Sequence, residues 1–176
     1  MQHLSASDQP KFPSDLKPEN VLLDDGGNIR LTDFGCAKEN VTSATSGAST
    51  FCGTPEYIPP EIVLRKEHGR AVDWWALGAL IYEMLTGLPP FYSRSRDEMF
   101  EKIVSASMLF PRFISTDTRD FLSKLLHRDA SSRLGSGDSD GQEIKDHPYF
   151  SVTFVSCYYG FYLPCREWIG MLCTKV

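Results

Sequence analysis

No stretch of about 18 or more consecutive apolar residues occurs in the chain, the length that a membrane-spanning helix needs. None of the five cysteines forms a C-x-x-C pair. Cys36 and Cys52 stand far apart and Cys157, Cys165 and Cys173 lie near the end, so neither a zinc site nor a disulfide framework is indicated. The expected setting is therefore reducing and cytoplasmic. Positive charge is the scarcer sign: 18 Lys and Arg face 23 Asp and Glu, a formal net charge of −5. That balance argues against a dedicated nucleic-acid binder and suits a cationic partner. Met1–Ser14 is polar, holds two prolines and lacks a basic-then-apolar leader, so no secretory signal is read there. There is no internal repeat. With 41% hydrophobic and 12% aromatic residues, and 13 Gly and 11 Pro spread along 176 residues, disordered and collagen-like classes are excluded. One domain with its own core is expected.

Residues 1–12 carry no periodicity and read as a disordered leader. Val21-Leu22-Leu23, the turn residues Asp24-Asp25-Gly26-Gly27, and Ile29-Arg30-Leu31 predict a short hairpin. Asn40–Thr50, rich in Ser, Thr, Ala and Gly, predicts a mobile loop. Ala71–Leu85 is apolar nearly all round, with only Asp73 and Glu83 charged, and predicts a buried helix stopped by Gly87, Pro89 and Pro90. Asp97–Val104 and Asp117–Leu126 predict amphipathic helices, and Ser136–Gly141 a polar loop. Asn40-Val41-Thr42 fits a glycosylation pattern and Asp138-Ser139-Asp140-Gly141 the start of a calcium loop. The first lacks a secretory context and the second lacks the remaining ligands. Gly135 and Gly137 follow no strand and make no dinucleotide loop.

The chemistry sits in a series of short motifs. Asp15-Leu16-Lys17-Pro18-Glu19-Asn20 precedes the hairpin and Asp33-Phe34-Gly35 follows it. Then come Gly53-Thr54-Pro55-Glu56-Tyr57, Pro59-Pro60-Glu61, Asp73-Trp74-Trp75-Ala76-Leu77-Gly78, and a late Arg133. Their order and spacing over residues 15–150 resemble the C-terminal lobe of a eukaryotic protein kinase. Thr50–Tyr57 and Ala71–Pro90 resemble the AGC group of serine/threonine kinases, and within it the Akt and ribosomal-protein-kinase branches. The fold implied is a partial protein-kinase-like fold, a mostly helical C-lobe with one small β-hairpin.

The residue types suit phosphoryl transfer, which asks for charge neutralisation and an aligned nucleophile. Taken alone, Asp15 could cap a turn and Asp33 could be a loop acid. The resemblance implies that Asp15 is the base near the substrate hydroxyl and that Lys17 meets developing charge on the γ-phosphate. Asn20 and Asp33 hold Mg²⁺, a cation that takes few protein oxygens besides phosphate. ATP and Mg²⁺ are the implied cofactors. The resemblance also implies that Thr54 bonds Asp15 and Lys17, that Asp73 is buried and holds catalytic-loop amides, and that Glu61 pairs with Arg133. Phe51, Pro55 and Ile58 line a pocket for the residue after the target hydroxyl. Glu19, Glu56 and Glu83 take arginines upstream of it in a protein substrate. Thr50 is the site for an upstream activating kinase. The arginine that usually meets its phosphate is Ser14 here, leaving Lys38, so weak ordering by phosphate is expected.

The departures from the family pattern are equally specific. The sequence holds no Gly-rich phosphate loop, no strand lysine and no helix glutamate to pair with it. Pro13 and Ser14 stand where His or Tyr and then Arg are usual, and Pro59 replaces Ala. Residues 1–14 read as a non-family leader and 151–176 as a non-family apolar tail, exposed and prone to aggregation. The expectation is a serine/threonine kinase by family, truncated and inactive alone. The alternatives are a pseudokinase-like binding fragment and a mis-spliced product.

Overall fold

Sixteen residues that have almost nothing polar to show to water, Ala71–Thr86, form the axis on which Thr116–Leu125 and the Pro55–Tyr57 and Ala130–Ser132 turns pack. The computed structural model describes residues 16–32, 43–46 and 53–152, the last two as backbone alone. The predicted leader, tail and most of the Asn40–Thr50 loop lie outside these residues.

The element order is β1 (Val21–Leu23), β2 (Ile29–Leu31), α1 (Pro60–Val63), α2 (Ala71–Thr86), α3 (Arg96–Ser105), α4 (Thr116–Leu125), α5 (Gly141–Lys145) and α6 (Pro148–Val152). Single 3-10 turns stand at Pro18–Asn20, Pro55–Tyr57 and Ala130–Ser132. The hairpin forms where expected, antiparallel with Val21 opposite Leu31 and Leu23 opposite Ile29. Its turn is held by the Asp24 carboxylate, which accepts the amides of Gly26 and Asn28 at 3.0 and 2.8 Å. Those bonds hold the Asp24 carboxyl below its usual range, the Asn28 amide first.

Helix α2 buries Trp74, Trp75, Leu77, Ala79 and Leu80. An all-round apolar helix is stable only with neighbours on several sides, and α4 and the Pro55–Tyr57 turn supply them. Gly78 lets α4 come close: a Cβ there would sit 3.0 Å from Leu125 Cβ and 3.0 Å from Leu126 Cγ. The helix stops at Gly87, whose φ of +85° only glycine takes without strain.

Helices α3 and α4 start one residue before the predicted positions because serines cap them. Ser95 accepts the Glu98 amide and Ser115 the Thr118 amide. Phe121, Leu122 and Leu125 of α4 are fully buried. Phe121 stacks on Tyr149 at 4.6 Å and meets Phe150 edge-on at 5.2 Å, which seats α6 on α4. The predicted 136–141 loop ends one residue early, since Gly141 opens α5.

His147 ties α6 to α4 and makes the fold sensitive to acid. Its Nδ1 accepts the Tyr149 amide at 3.2 Å, so the neutral ring carries its proton on Nε2, which donates to Asp120 at 3.1 Å. Lys124 Nζ lies 3.2 Å from the same nitrogen. Burial, then the Lys124 charge, pushes the His147 pKa below 6.5, with Asp120 and Asp117 opposing. The neutral ring is thus favoured in the folded state, and its contribution is complete above about pH 6.5 and lost as pH falls through the lower folded-state value. Thermal melts across pH 7.5 to about 5 should show a fall in Tm that His147→Gln reduces. An equal fall in both proteins would remove His147 from the explanation.

Candidate active site

Leu16, at 3% exposure, is built into the core and fixes the start of the segment that follows. Pro18 cannot donate a backbone hydrogen bond and stands at the first position of a 3-10 turn, where none is needed. The turn closes through Asn20 N–H to Lys17 O at 3.0 Å. After the hairpin, Thr32 N–H donates back to Asn20 O at 2.9 Å. The hairpin thus returns the chain to Asn20 immediately before Asp33. Asn20 is buried.

The Lys17 ammonium donates to Thr54 Oγ1 at 3.1 Å, across 37 residues of chain. Thr54 precedes the Pro55–Tyr57 turn, and its carbonyl accepts the Tyr57 amide. That turn packs on α2, so α2 positions the Thr54 hydroxyl against Lys17. Asp15, Asp33, Thr50, Phe51 and Lys38 lie outside the described residues.

Of the three candidate substrate-binding acids, Glu19, Glu56 and Glu83, Glu83 is the one in contact with the Tyr57 phenol. Tyr57 is buried and donates its hydroxyl hydrogen to Glu83 Oε2. Its pKa is driven far above the ordinary tyrosine range by burial first, then by Glu83, then by the charges of Glu19 and Glu56. The motif Gly53–Tyr57 was legible, yet nothing in it marks Tyr57 as the hydrogen-bond partner of Glu83. Of the residues expected to line the apolar pocket, Ile58 is 2% exposed and Pro55 is half-buried.

Arg133 and Glu61 meet in the interior. Arg133 Nη1 and Nη2 donate to the two Glu61 oxygens at 2.8 and 2.9 Å. Its other donors reach Ala71 O at 2.7 Å and His127 O at 3.0 Å, and the guanidinium lies over Trp75. Both residues are buried. Asp73 is buried too, and Oδ2 has no hydrogen-bond partner among the described residues. Burial first, then the Asp140 charge, pushes its carboxyl well above the usual range. A buried carboxylate oxygen calls for donors.

One acid changes meaning. Asp140, part of the calcium-like string, accepts Trp74 Nε1–H at 3.0 Å and pairs with Arg70 at 3.2 Å, bracing the 136–140 loop on α2. Among the described residues no group of three or more His, Cys, Asp and Glu side chains could hold a metal ion. No described helix is long and apolar enough to cross a membrane.

The placement of Lys17 on Thr54, the return of the chain to Asn20 and the buried Glu61–Arg133 pair define a protein-kinase C-lobe. The protein kinase domain matches residues 12–150, and the chain belongs to the protein kinase family. It is 50% identical over 139 residues to a ribosomal protein S6 kinase beta of Caenorhabditis elegans, covering 79% of this chain and 25% of that protein. It is 51% identical over 136 residues to a RAC family serine/threonine-protein kinase homolog of Dictyostelium discoideum, covering 77% and 30%. The serine/threonine-protein kinase sgk-1 of Caenorhabditis elegans is 49% identical over 136 residues, covering 77% and 29%. These likenesses place the fragment in the AGC serine/threonine group. The chain spans between 25% and 30% of the length of these relatives.

Proposed function

We propose that this chain is the part of a serine/threonine kinase that transfers the ATP γ-phosphate to Ser or Thr of protein substrates with arginine upstream. The observation that carries this reading is the Lys17–Thr54 bond at 3.1 Å, which joins the catalytic loop to the substrate-side segment. In that reading Asp15 accepts the proton of the substrate hydroxyl. Lys17 places positive charge where the transferred phosphoryl gains negative charge, and Thr54 fixes its direction. Asn20 and Asp33 would hold Mg²⁺. One amide oxygen and one carboxylate fit a hard cation that keeps water and phosphate as its other ligands, and the Thr32–Asn20 bond supports their adjacency. Bound Mg²⁺ supplies charge neutralisation of the phosphates. Thr50 takes a phosphate from an upstream kinase, Phe51, Pro55 and Ile58 receive the residue after the target, and the protein works in the cytoplasm.

Substrate choice follows from charge. Glu19, Glu56 and Glu83 each add negative charge around Tyr57, and a cation is favoured where like charges gather. A guanidinium gives bidentate bonds to such groups. A fluorescent Ser peptide with two upstream arginines should bind the chain, and Glu83→Gln should weaken it about tenfold, the loss of one charge-assisted hydrogen bond. A peptide with alanine for those arginines should bind weakly to both proteins. Equal affinity of wild type and Glu83→Gln for the arginine peptide would contradict the substrate assignment.

A further inference from the structure

The stretch 43–46 is held to the start of α2 by main-chain bonds. Arg70 N–H donates to Ser43 O at 3.1 Å and Ala71 N–H to Ala44 O at 3.0 Å. These are the amides of the α2 cap residue and first residue, which have no partner within their own helix. Gly69 makes the approach possible: a Cβ there would fall 2.1 Å from Ser43 O and 2.5 Å from Ala44 C. Both are backbone atoms, so no side-chain movement relieves the clash.

The docked stretch has a shape of its own. Ser43 Oγ accepts the amides of Thr45 and Ser46 at 3.3 and 3.2 Å and the Ser46 hydroxyl at 2.9 Å. This hydroxyl-closed turn is what presents the carbonyls of Ser43 and Ala44 to α2. On its other side Thr45 lines a cleft of about 520 Å³ with Pro60, Leu64, Lys66, Arg128 and Ser131. The stretch therefore touches both the start of α2 and the surroundings of α1.

We propose that Ser43–Ser46 docked on Gly69–Ala71 is a built-in anchor that orders the middle of the 33–61 segment without a phosphate. The two hydrogen bonds themselves join uncharged groups: two carbonyls meet two helix-end amides over a glycine. It needs no cation for Thr50, which accounts for how the segment keeps an ordered point although Ser14 stands where an arginine is usual. The regulatory meaning rests on the proposed role of Thr50; the contact itself does not.

Hydrogen exchange on the whole 176-residue chain tests it. The amides of Thr45, Ser46, Arg70 and Ala71 should exchange slowly in the unphosphorylated protein. Gly69→Val should speed all four by about tenfold or more, as expected for losing two backbone hydrogen bonds, while Leu77–Ile81 keep their protection. If that variant also loses protection at Leu77–Ile81, Ser43→Ala decides. It removes the acceptor for two amides without adding bulk, and should speed Arg70 and Ala71 at least about threefold. Fast exchange at Arg70 and Ala71 in the wild type, or rates unchanged in Gly69→Val or in Ser43→Ala, would overturn the anchor. Thr50→Glu should alter the four amides less than about twofold. A tenfold gain in protection there would put the ordering on charge at Thr50 and overturn its independence from phosphate.

Discussion

Arg133→Ala is expected to cost the fold about 3–5 kcal/mol, the usual loss when one member of a buried ion pair is removed. The Glu61 carboxyl would be left at 7% exposure with no guanidinium beside it. The carbonyls of Ala71 and His127 would lose their Arg133 donors in the same step, and Trp75 the cation above its ring. A domain of ordinary stability holds about 5–15 kcal/mol in total, so the variant should be near unfolding at room temperature. Urea melts of the wild type, Arg133→Ala and Glu61→Gln measure it. Glu61→Gln should be the milder change, because a neutral amide can still accept one of the two bonds. A loss within roughly 0.5 kcal/mol for Arg133→Ala would mean that the pair is open to water.

The fold was legible wherever one physical signal dominated a stretch of chain. Ala71–Leu85 declared itself because nothing but Asp73 and Glu83 interrupts its apolar surface. The hairpin did so because Asp24–Gly27 offers turn residues between two apolar runs. The short helices α1 and α5 and the 3-10 turn at Pro55–Tyr57 carry too few residues for any periodicity to register. Partnerships between distant residues were legible only through motif resemblance. Glu61 and Arg133 are 72 residues apart, and no local pattern links them. Asp140 was unreadable for the opposite reason: its neighbours Asp138 and Gly141 suggest a solvated turn, whereas its partners Trp74 and Arg70 come from the start of α2 and the residue before it.

A polypeptide of these 176 residues by itself is expected to transfer phosphate far more slowly than a typical kinase. Phosphoryl transfer depends on holding the nucleotide in line and neutralising its charge. In the proposed reading Asp15, Lys17, Asn20 and Asp33 serve the γ-phosphate side. It contains no Gly-rich loop, strand lysine or helix glutamate to grip the α- and β-phosphates. A misplacement of about 1 Å already costs on the order of a hundredfold in rate, and a nucleotide gripped from one side is freer than that. The most direct measurement is transfer of radiolabelled phosphate from Mg·ATP to an Arg-rich serine peptide. It is run on the 176-residue chain alone, on the same chain joined to a kinase N-terminal lobe, and on both with Asp33→Ala. The account predicts negligible transfer by the chain alone, transfer by the joined protein, and its loss with Asp33→Ala. Kinase-like rates from the isolated chain, or a joined protein indifferent to Asp33→Ala, would contradict it.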